Sequence, residues 1–165
     1  SFVIEQDVEV VDSIHFTKAK LVAEDGVQTP VISFGPVSIA PDLHRKGLGR
    51  KLVENAIGEA KKQGYRAIIL GGYPYHYTPY GFVGTKKYGI SMPDHKYYTG
   101  IMALPLYEGA LDGVQGVIHF SEAPYPDETG LEAYDSTFPQ KEKRVEERQK
   151  AFEKASTEED THTYD

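Results

Sequence analysis

The chain is 165 residues long, 39% hydrophobic and 26% charged, with a formal net charge of -7. That length fits one domain with a real hydrophobic core, and the composition is ordinary for a soluble globular protein. The negative charge argues against an extended nucleic-acid surface, no apolar run reaches bilayer length, and the opening "SFVIEQDVEV" lacks a signal-peptide pattern. Zero cysteines exclude disulfides, thiolate zinc sites and a cysteine nucleophile, and they fit a cytoplasmic location.

Residues 2–11, "FVIEQDVEVV", and 14–22, "IHFTKAKLV", are β-rich and are expected to form two strands joined at Asp12 and Ser13. "AEDGVQTP" follows as a loop. "VISFGPVSIA", residues 31–40, is apolar on both faces, as expected of a central strand. Pro36 within it cannot donate a ladder hydrogen bond, so with Gly35 it marks a bulge or a point where a neighbouring strand leaves.

Residues 47–63 are the clearest helix, with Leu48, Leu52, Val53, Ala56, Ile57 and Ala60 on one face. Lys61, Lys62 and Gly64 suit its C-terminal end. "AIIL", 67–70, is a short buried strand, and strand, helix, strand in succession makes the two strands parallel. "GGYPYHYTPYGF" is turn-rich and aromatic, with room for one short helix. "GISM", "GIMALPL" and "GVIHF" read as further strands. A charged helix with a thin apolar stripe is expected from Pro139 to about Ala155, helped by a Glu146–Lys150 pair. "STEEDTHTYD" is expected to be a disordered tail.

The stretch "HRKGLGRKL", 44–52, sets two glycines among cationic residues at a helix start. Free backbone N–H groups and the helix dipole suit an anion there, and Arg45, Lys46 and Arg50 add charge. The alternative is that the cations are solvated and the glycines only shape a turn. A dinucleotide fingerprint would need a third glycine where Leu52 stands, and a Walker loop would need Gly-Lys-Ser/Thr.

Taken together, the broken strand, the basic Gly-x-Gly helix start, the parallel strand and "HYTPYGF" resemble the GNAT superfamily of N-acetyltransferases. The family pattern is Gln or Arg, two residues, Gly, one residue, Gly or Ala. Here His44 holds the first position and Gly47 and Gly49 the others. A Tyr four residues before Gly-Phe is matched by Tyr77 before Gly81 and Phe82. "LGGYPYHYTPYGF" with "LPLYEGALDGVQGVIHFSEA" resembles a subgroup of predicted bacterial N-acetyltransferases, and the likeness spans residues 2–124. The chain departs from the pattern at His44, lacks the Asn often found upstream of the family's Tyr, and begins after the family's first strand and two helices.

The resemblance implies an α/β (α+β) fold: a mixed, mostly antiparallel sheet with a splayed central parallel strand pair, flanked by helices. It implies an acetyl-CoA-binding domain over 1–138, followed by the charged helix over 139–155 and the tail over 156–165. Acetyl-CoA is the implied cosubstrate, held through the backbone of Val37, Ser38 and Ile39 and by His44, Arg45, Lys46, Gly47, Leu48, Gly49 and Arg50. Tyr77 matches the residue that protonates the leaving thiolate, and no metal is implied. The acceptor is a primary amine, on a small molecule or a peptide, which attacks directly because no cysteine can carry the acetyl group. His15, Glu24, His76 or a chain of waters are the candidate bases. Either the chain is a fragment, or the acceptor wall is expected from the C-terminal helix or from a partner, so a homodimer fits. A non-catalytic CoA-binding or sensor module is the alternative, and an interaction protein using the charged helix is a further one.

Overall fold

The computed structural model describes residues 1–122, 128–142 and 144–164. Ala123, Pro124, Lys143 and Asp165, which fall within the expectations above, lie outside the described residues. The element order is β1 (Phe2–Gln6), β2 (Glu9–Val22), β3 (Gln28–Ile39), α1 (Leu48–Lys62), β4 (Ala67–Gly71), α2 (Pro74–Tyr77), β5 (Val83–Gly84), β6 (Ile90–Ser91), β7 (Ile101–Pro105), β8 (Gly116–His119), α3 (Leu131–Asp135) and α4 (Glu147–Thr157). The strands form one sheet in the order β5-β7-β4-β3-β2-β8-β6, with β1 added beside β2. Among the described residues the β3–β4 and β6–β8 pairs are parallel and the other strand pairs antiparallel. The mixed, mostly antiparallel sheet flanked by helices expected from the resemblance is therefore the architecture found.

β3 is central because both of its faces are covered. Ile32 and Phe34 point to the α1 side, where Leu52, Val53, Ala56 and Ala60 meet Ile68, Leu70 and Phe82. Val31 points to the other side, with Leu21, Ile69, Ile101 and Ile118. α1 buries the apolar stripe legible in its sequence, and Gly64 (φ 77°) takes the left-handed turn that ends it.

The first hairpin turns earlier than expected. The reversal lies at Asp7 and Val8, both left-handed (φ 52° and 70°), and Asp12 and Ser13 lie inside β2. Asp-Val carries no glycine or asparagine to announce a turn, whereas the polar Asp12-Ser13 pair imitates one. In fact Asp12 is buried opposite Ile39, and the Ser13 hydroxyl bonds that of Ser38 at 2.7 Å.

The C-terminal region also departs from expectation. α4 begins at Glu147 rather than Pro139, because Glu146 closes a capping box with Gln149. The Glu146–Lys150 pair does not form. Glu146 meets Arg144 and Arg148, at 3.3 and 3.2 Å, while Lys150 bonds Glu147 at 2.7 Å. α3 had no clear signal in the sequence, being one short turn in a polar segment.

Residues 158–164 are built into the fold rather than forming a disordered tail. The Thr99 N–H donates to the Glu158 carbonyl at 3.0 Å and the Asp160 N–H to that of Tyr97 at 2.8 Å. Lys86 Nζ donates to the Asp160 carbonyl at 2.9 Å, and the Tyr164 hydroxyl to Asp160 Oδ2 at 2.9 Å. Gly84 makes room for this clasp: a Cβ there would stand 2.5 Å from Asp160 Oδ2 and nearer still to the Tyr164 hydroxyl. Polar composition hides such a segment, since its anchors are hydrogen bonds to distant strands rather than an apolar stripe.

Burial and the Asp160 carboxylate push the Tyr164 hydroxyl up to about 12 from an ordinary value of 10.0. A folded-state value raised above the unfolded one stabilises the fold below about pH 10, and that contribution is lost as pH rises towards 12. Tyr164→Phe should therefore lower stability at pH 8 and differ less and less from the parent above pH 10. Urea midpoints from pH 8 to 12 test this; a constant difference between the two proteins across that range would refute it.

Candidate active site

The opening at the centre of the sheet comes from unequal pairing of β3. On one side it pairs with β2 along nearly its whole length, from Gln28↔Val22 to Ile39↔Asp12. On the other it meets β4 at a single pair, Ile32↔Ile68. Beyond that pair the two parallel strands separate, so the residues after Phe34 have no strand on the β4 side. At the bulge, Gly35 and Pro36 together oppose His15, and their peptide bond is cis.

The ladder shows which amides face the opening. Ala40 N–H donates to the Val11 carbonyl at 2.8 Å, so the 11↔40 pair is hydrogen-bonded. Alternation along an antiparallel ladder then gives the Ser38 N–H to β2 and turns those of Val37 and Ile39 away from it, into the gap. Of the three expected backbone contacts, Val37 and Ile39 are thus the ones in position, and Ser38 is committed to β2.

The strand-to-helix turn is held by the residue that departs from the family pattern. His44 Nε2 donates to the Ile39 carbonyl at 2.9 Å, and since a carbonyl only accepts, Nε2 carries the proton. Arg45 (φ 62°) and Gly47 (φ 81°) are both left-handed. That conformation costs a non-glycine residue about 1–2 kcal/mol, so the turn at Arg45 is held under strain beside the helix start. Gly47 caps α1 with no side-chain hydrogen bond, leaving the first N–H groups of the helix unpaired by a cap. Arg45 and Lys46 are exposed, and no ion pair or hydrogen bond engages either side chain among the described residues. Arg50 is instead tied to Glu54 at 2.7 Å, which raises its already high proton affinity.

The two glycines do different things. Gly47 has open space around the position of a Cβ and is required for its backbone angle. Gly49 lies against the strand: a Cβ would stand 2.3 Å from Ile39 Cδ1. The bare face of Gly49 therefore seats α1, through Ile39, on the end of β3, with Leu48 half-buried between the two glycines.

Across the gap, β4 runs into Gly71-Gly72 and α2. The Tyr77 ring packs on Phe34 and Phe82, with centroids 5.9 and 5.6 Å away. A Cβ at Gly72 would collide with it, 2.3 Å from Cε2. Gly72 is a site residue that motif reading missed; its signal was the Gly-Gly pair between a buried strand and an aromatic run. Burial pushes the Tyr77 hydroxyl above its usual value, with a smaller push from Tyr80. No hydrogen bond occupies that hydroxyl among the described residues.

The candidate bases are scattered. Glu24 is exposed in the β2–β3 turn, roughly 30 Å along the strand from Val37 at about 3.3 Å per residue. His15 is exposed at the bulge with Nδ1 2.9 Å from the Ser1 hydroxyl. His76 is exposed on α2, against Tyr73.

This geometry agrees with comparison to known proteins. The family model described as acetyltransferase (GNAT) family matches residues 1–79, just under half of the chain. The GNAT family N-acetyltransferase YhbS of Escherichia coli, solved with CoA, superposes with TM-score 0.64 at 22% identity, over 73% of this chain and 66% of that one. This is a GNAT fold. A GNAT family acetyltransferase of Brucella melitensis, solved with acetyl-CoA, superposes with TM-score 0.56 at 23% identity, over 73% of this chain and 65% of that one. The chain thus spans just under two thirds of the length of either structure. No curated protein matches the sequence. Among the described residues no helix is long and apolar enough to cross a membrane, and no cluster of His, Cys, Asp or Glu could hold a metal ion. The family resemblance read from the motifs, and the GNAT fold it implied, are borne out.

The seating of Gly49 on Ile39 has a measurable signature. An alanine at 49 gains helix propensity, about 1 kcal/mol, but overpacks against the isoleucine, at a cost of about 1–3 kcal/mol. In an Ile39→Val background Cδ1 is gone, so Gly49→Ala should become more favourable by about 1 kcal/mol. Urea unfolding of the four proteins in the cycle reads this coupling; additive effects would show that the two residues do not touch.

Proposed function

We propose that the chain is an acetyl-CoA-dependent N-acetyltransferase that acetylates a primary amine. The observation that carries this reading is the single β3–β4 pair, which leaves the Val37 and Ile39 amides facing a gap whose mouth is the uncapped start of α1. An extended ligand with amides of its own can pair there as an added strand would. A diphosphate at its end suits the free N–H groups of residues 45–50 and the unpaired cations Arg45 and Lys46. The backbone cradle, open in front of Gly47 because no Cβ stands there, fits that group.

Acetyl-CoA supplies an electrophilic thioester carbonyl. The chain's part is to bind, orient and handle protons. Val37 and Ile39 N–H fix the ligand's direction along β3, and the amide nearest the thioester polarises its carbonyl. Tyr77 is the proton donor for the departing sulfur: its hydroxyl is neutral at pH 7, burial raises its proton affinity further, and among the described residues no other group holds that proton. The base stays with His15, His76 or water, since Glu24 is too far along the strand for direct transfer.

Two measurements test the proposal. On adding CoA, the Val37 and Ile39 amides should gain hydrogen-exchange protection while Ser38, already bonded to β2, changes little. Equal gains at all three, or at none, would remove the added-strand mode of binding.

The Tyr77→Phe variant keeps the ring on Phe34 and Phe82, so CoA affinity should stay within a few-fold of the parent. Turnover with an amine acceptor should fall about ten- to a thousand-fold, bracketing the usual contribution of a positioned proton donor. Undiminished turnover would assign protonation to water. CoA binding without turnover on any amine would favour the non-catalytic reading.

A further inference from the structure

The segment following β4 carries more aromatic surface than packing requires. Tyr77 and Phe82 turn inward, but Tyr73, Tyr75 and His76 pack on one another outside the core. Their ring centroids are 6.0 Å (Tyr73–Tyr75), 5.4 Å (Tyr73–His76) and 6.0 Å (Tyr75–His76) apart. Tyr75 is 76% exposed. Tyr75 and His76 stand on the four-residue α2 and Tyr73 just before it, at the carboxyl end of β4, beside the gap from which β3 has withdrawn. Ligands of open sheets with parallel strands bind at that end.

What surrounds the rings defines their occupant. Residues 67–85 contain no Asp, Glu, Lys or Arg, so no ion pair competes for the ring faces from within the segment. The Gly72 N–H donates to the Gly100 carbonyl at 2.8 Å, which ties the residue before Tyr73 to the turn that precedes β7. Thr99 is in turn bonded to the end of α4, its N–H to the Glu158 carbonyl and its hydroxyl to the Ala155 carbonyl. Gly100 permits the contact, because a Cβ there would lie 2.9 Å from the Ala155 carbonyl oxygen. The start of the segment, at Gly72, is therefore bordered by the carbonyl end of a helix, which carries partial negative charge, in a chain of net charge -7.

From this arrangement we infer that Tyr73, Tyr75 and His76 form the acceptor-recognition surface, and that the acceptor is an amine carrying a second, protonated nitrogen. The inference rests on the acetyl-transfer reading above and adds the substrate class. Aromatic faces attract an ammonium group, and the negative helix end strengthens that attraction. The attacking nitrogen must be neutral, so the recognised charge sits on the other one. An aliphatic monoamine offers nothing for the rings once its only nitrogen is deprotonated. Among the described residues this surface is the one where exposed aromatics, the gap and the helix end come together.

1,4-Diaminobutane is titrated calorimetrically into the protein with CoA present, for the parent, Tyr75→Ala and Tyr75→Phe, and is compared with 1-aminobutane as an acceptor. The diamine should show a kcat/KM at least ten-fold above that of the monoamine, whose single nitrogen must be neutral to react. Tyr75→Ala should weaken the diamine by about three- to thirty-fold, the range of a cation over an aromatic face, while Tyr75→Phe stays within about two-fold of the parent. Equal kcat/KM for the two amines, or diamine binding unchanged in Tyr75→Ala, overturns the inference. Tyr75 is exposed, so its substitution should leave the fold intact, and thermal unfolding verifies that. Turnover separates the two readings. Ring-dependent diamine binding without acetylation sinks the transferase assignment but keeps the recognition surface. Acetylation of both amines with the same kcat/KM sinks the surface but keeps the transferase.

Discussion

Beyond Ile32, strand β3 is held from one side only, and the candidate site follows from that asymmetry. An interior strand normally spends its amides on two neighbours. Here β2 takes one set, through register pairs that reach Ile39, while β4 is joined at Ile32↔Ile68 and then leaves. Unsatisfied backbone groups inside a sheet are costly, so a strand end of this kind persists where solvent or a ligand can serve them. Everything placed around the gap depends on its staying open: the turn pinned by His44, the helix start at Gly47 and the tyrosine across the way.

Small residues maintain that opening by allowing close approach. Gly49 lets α1 rest on Ile39, Gly72 lets Tyr77 lie flat against the end of β4, and Gly100 lets the end of α4 dock by its backbone. Each brings an element nearer than a side chain would permit. Gly47 differs from them: it supplies a left-handed backbone angle, and a Cβ there would meet no neighbour.

One buried group stands apart from this scheme. Asp12 is 1% exposed, and neither of its carboxylate oxygens has a hydrogen-bond partner among the described residues. It pairs across the ladder with Ile39 and shares the face that α1 covers. Nothing in the structure explains why a carboxylate stands where an apolar residue would pack at lower cost.

The sequence alone determined the parts of the fold whose signal is local. α1 was legible because its apolar residues recur at helical spacing, and β3 because it is apolar on both faces. The parallel β3–β4 pair followed from the order strand, helix, strand, and the break in β3 from Gly35-Pro36, since proline cannot complete a ladder. The candidate stretch at 44–50 and Tyr77 were singled out by their resemblance to the spacing of family motifs. Other features are set by residues far apart in the chain, and only the tertiary structure decided them. The hairpin turns at Asp7-Val8, because Asp12 and Ser13 are claimed by β3. Residues 158–164 are ordered by bonds to Tyr97, Lys86 and Thr99. Val37 and Ile39 rather than Ser38 face the gap, because ladder alternation depends on how β2 is registered. A local pattern reports what a segment can do; which of its hydrogen bonds remain free is settled by what packs beside it.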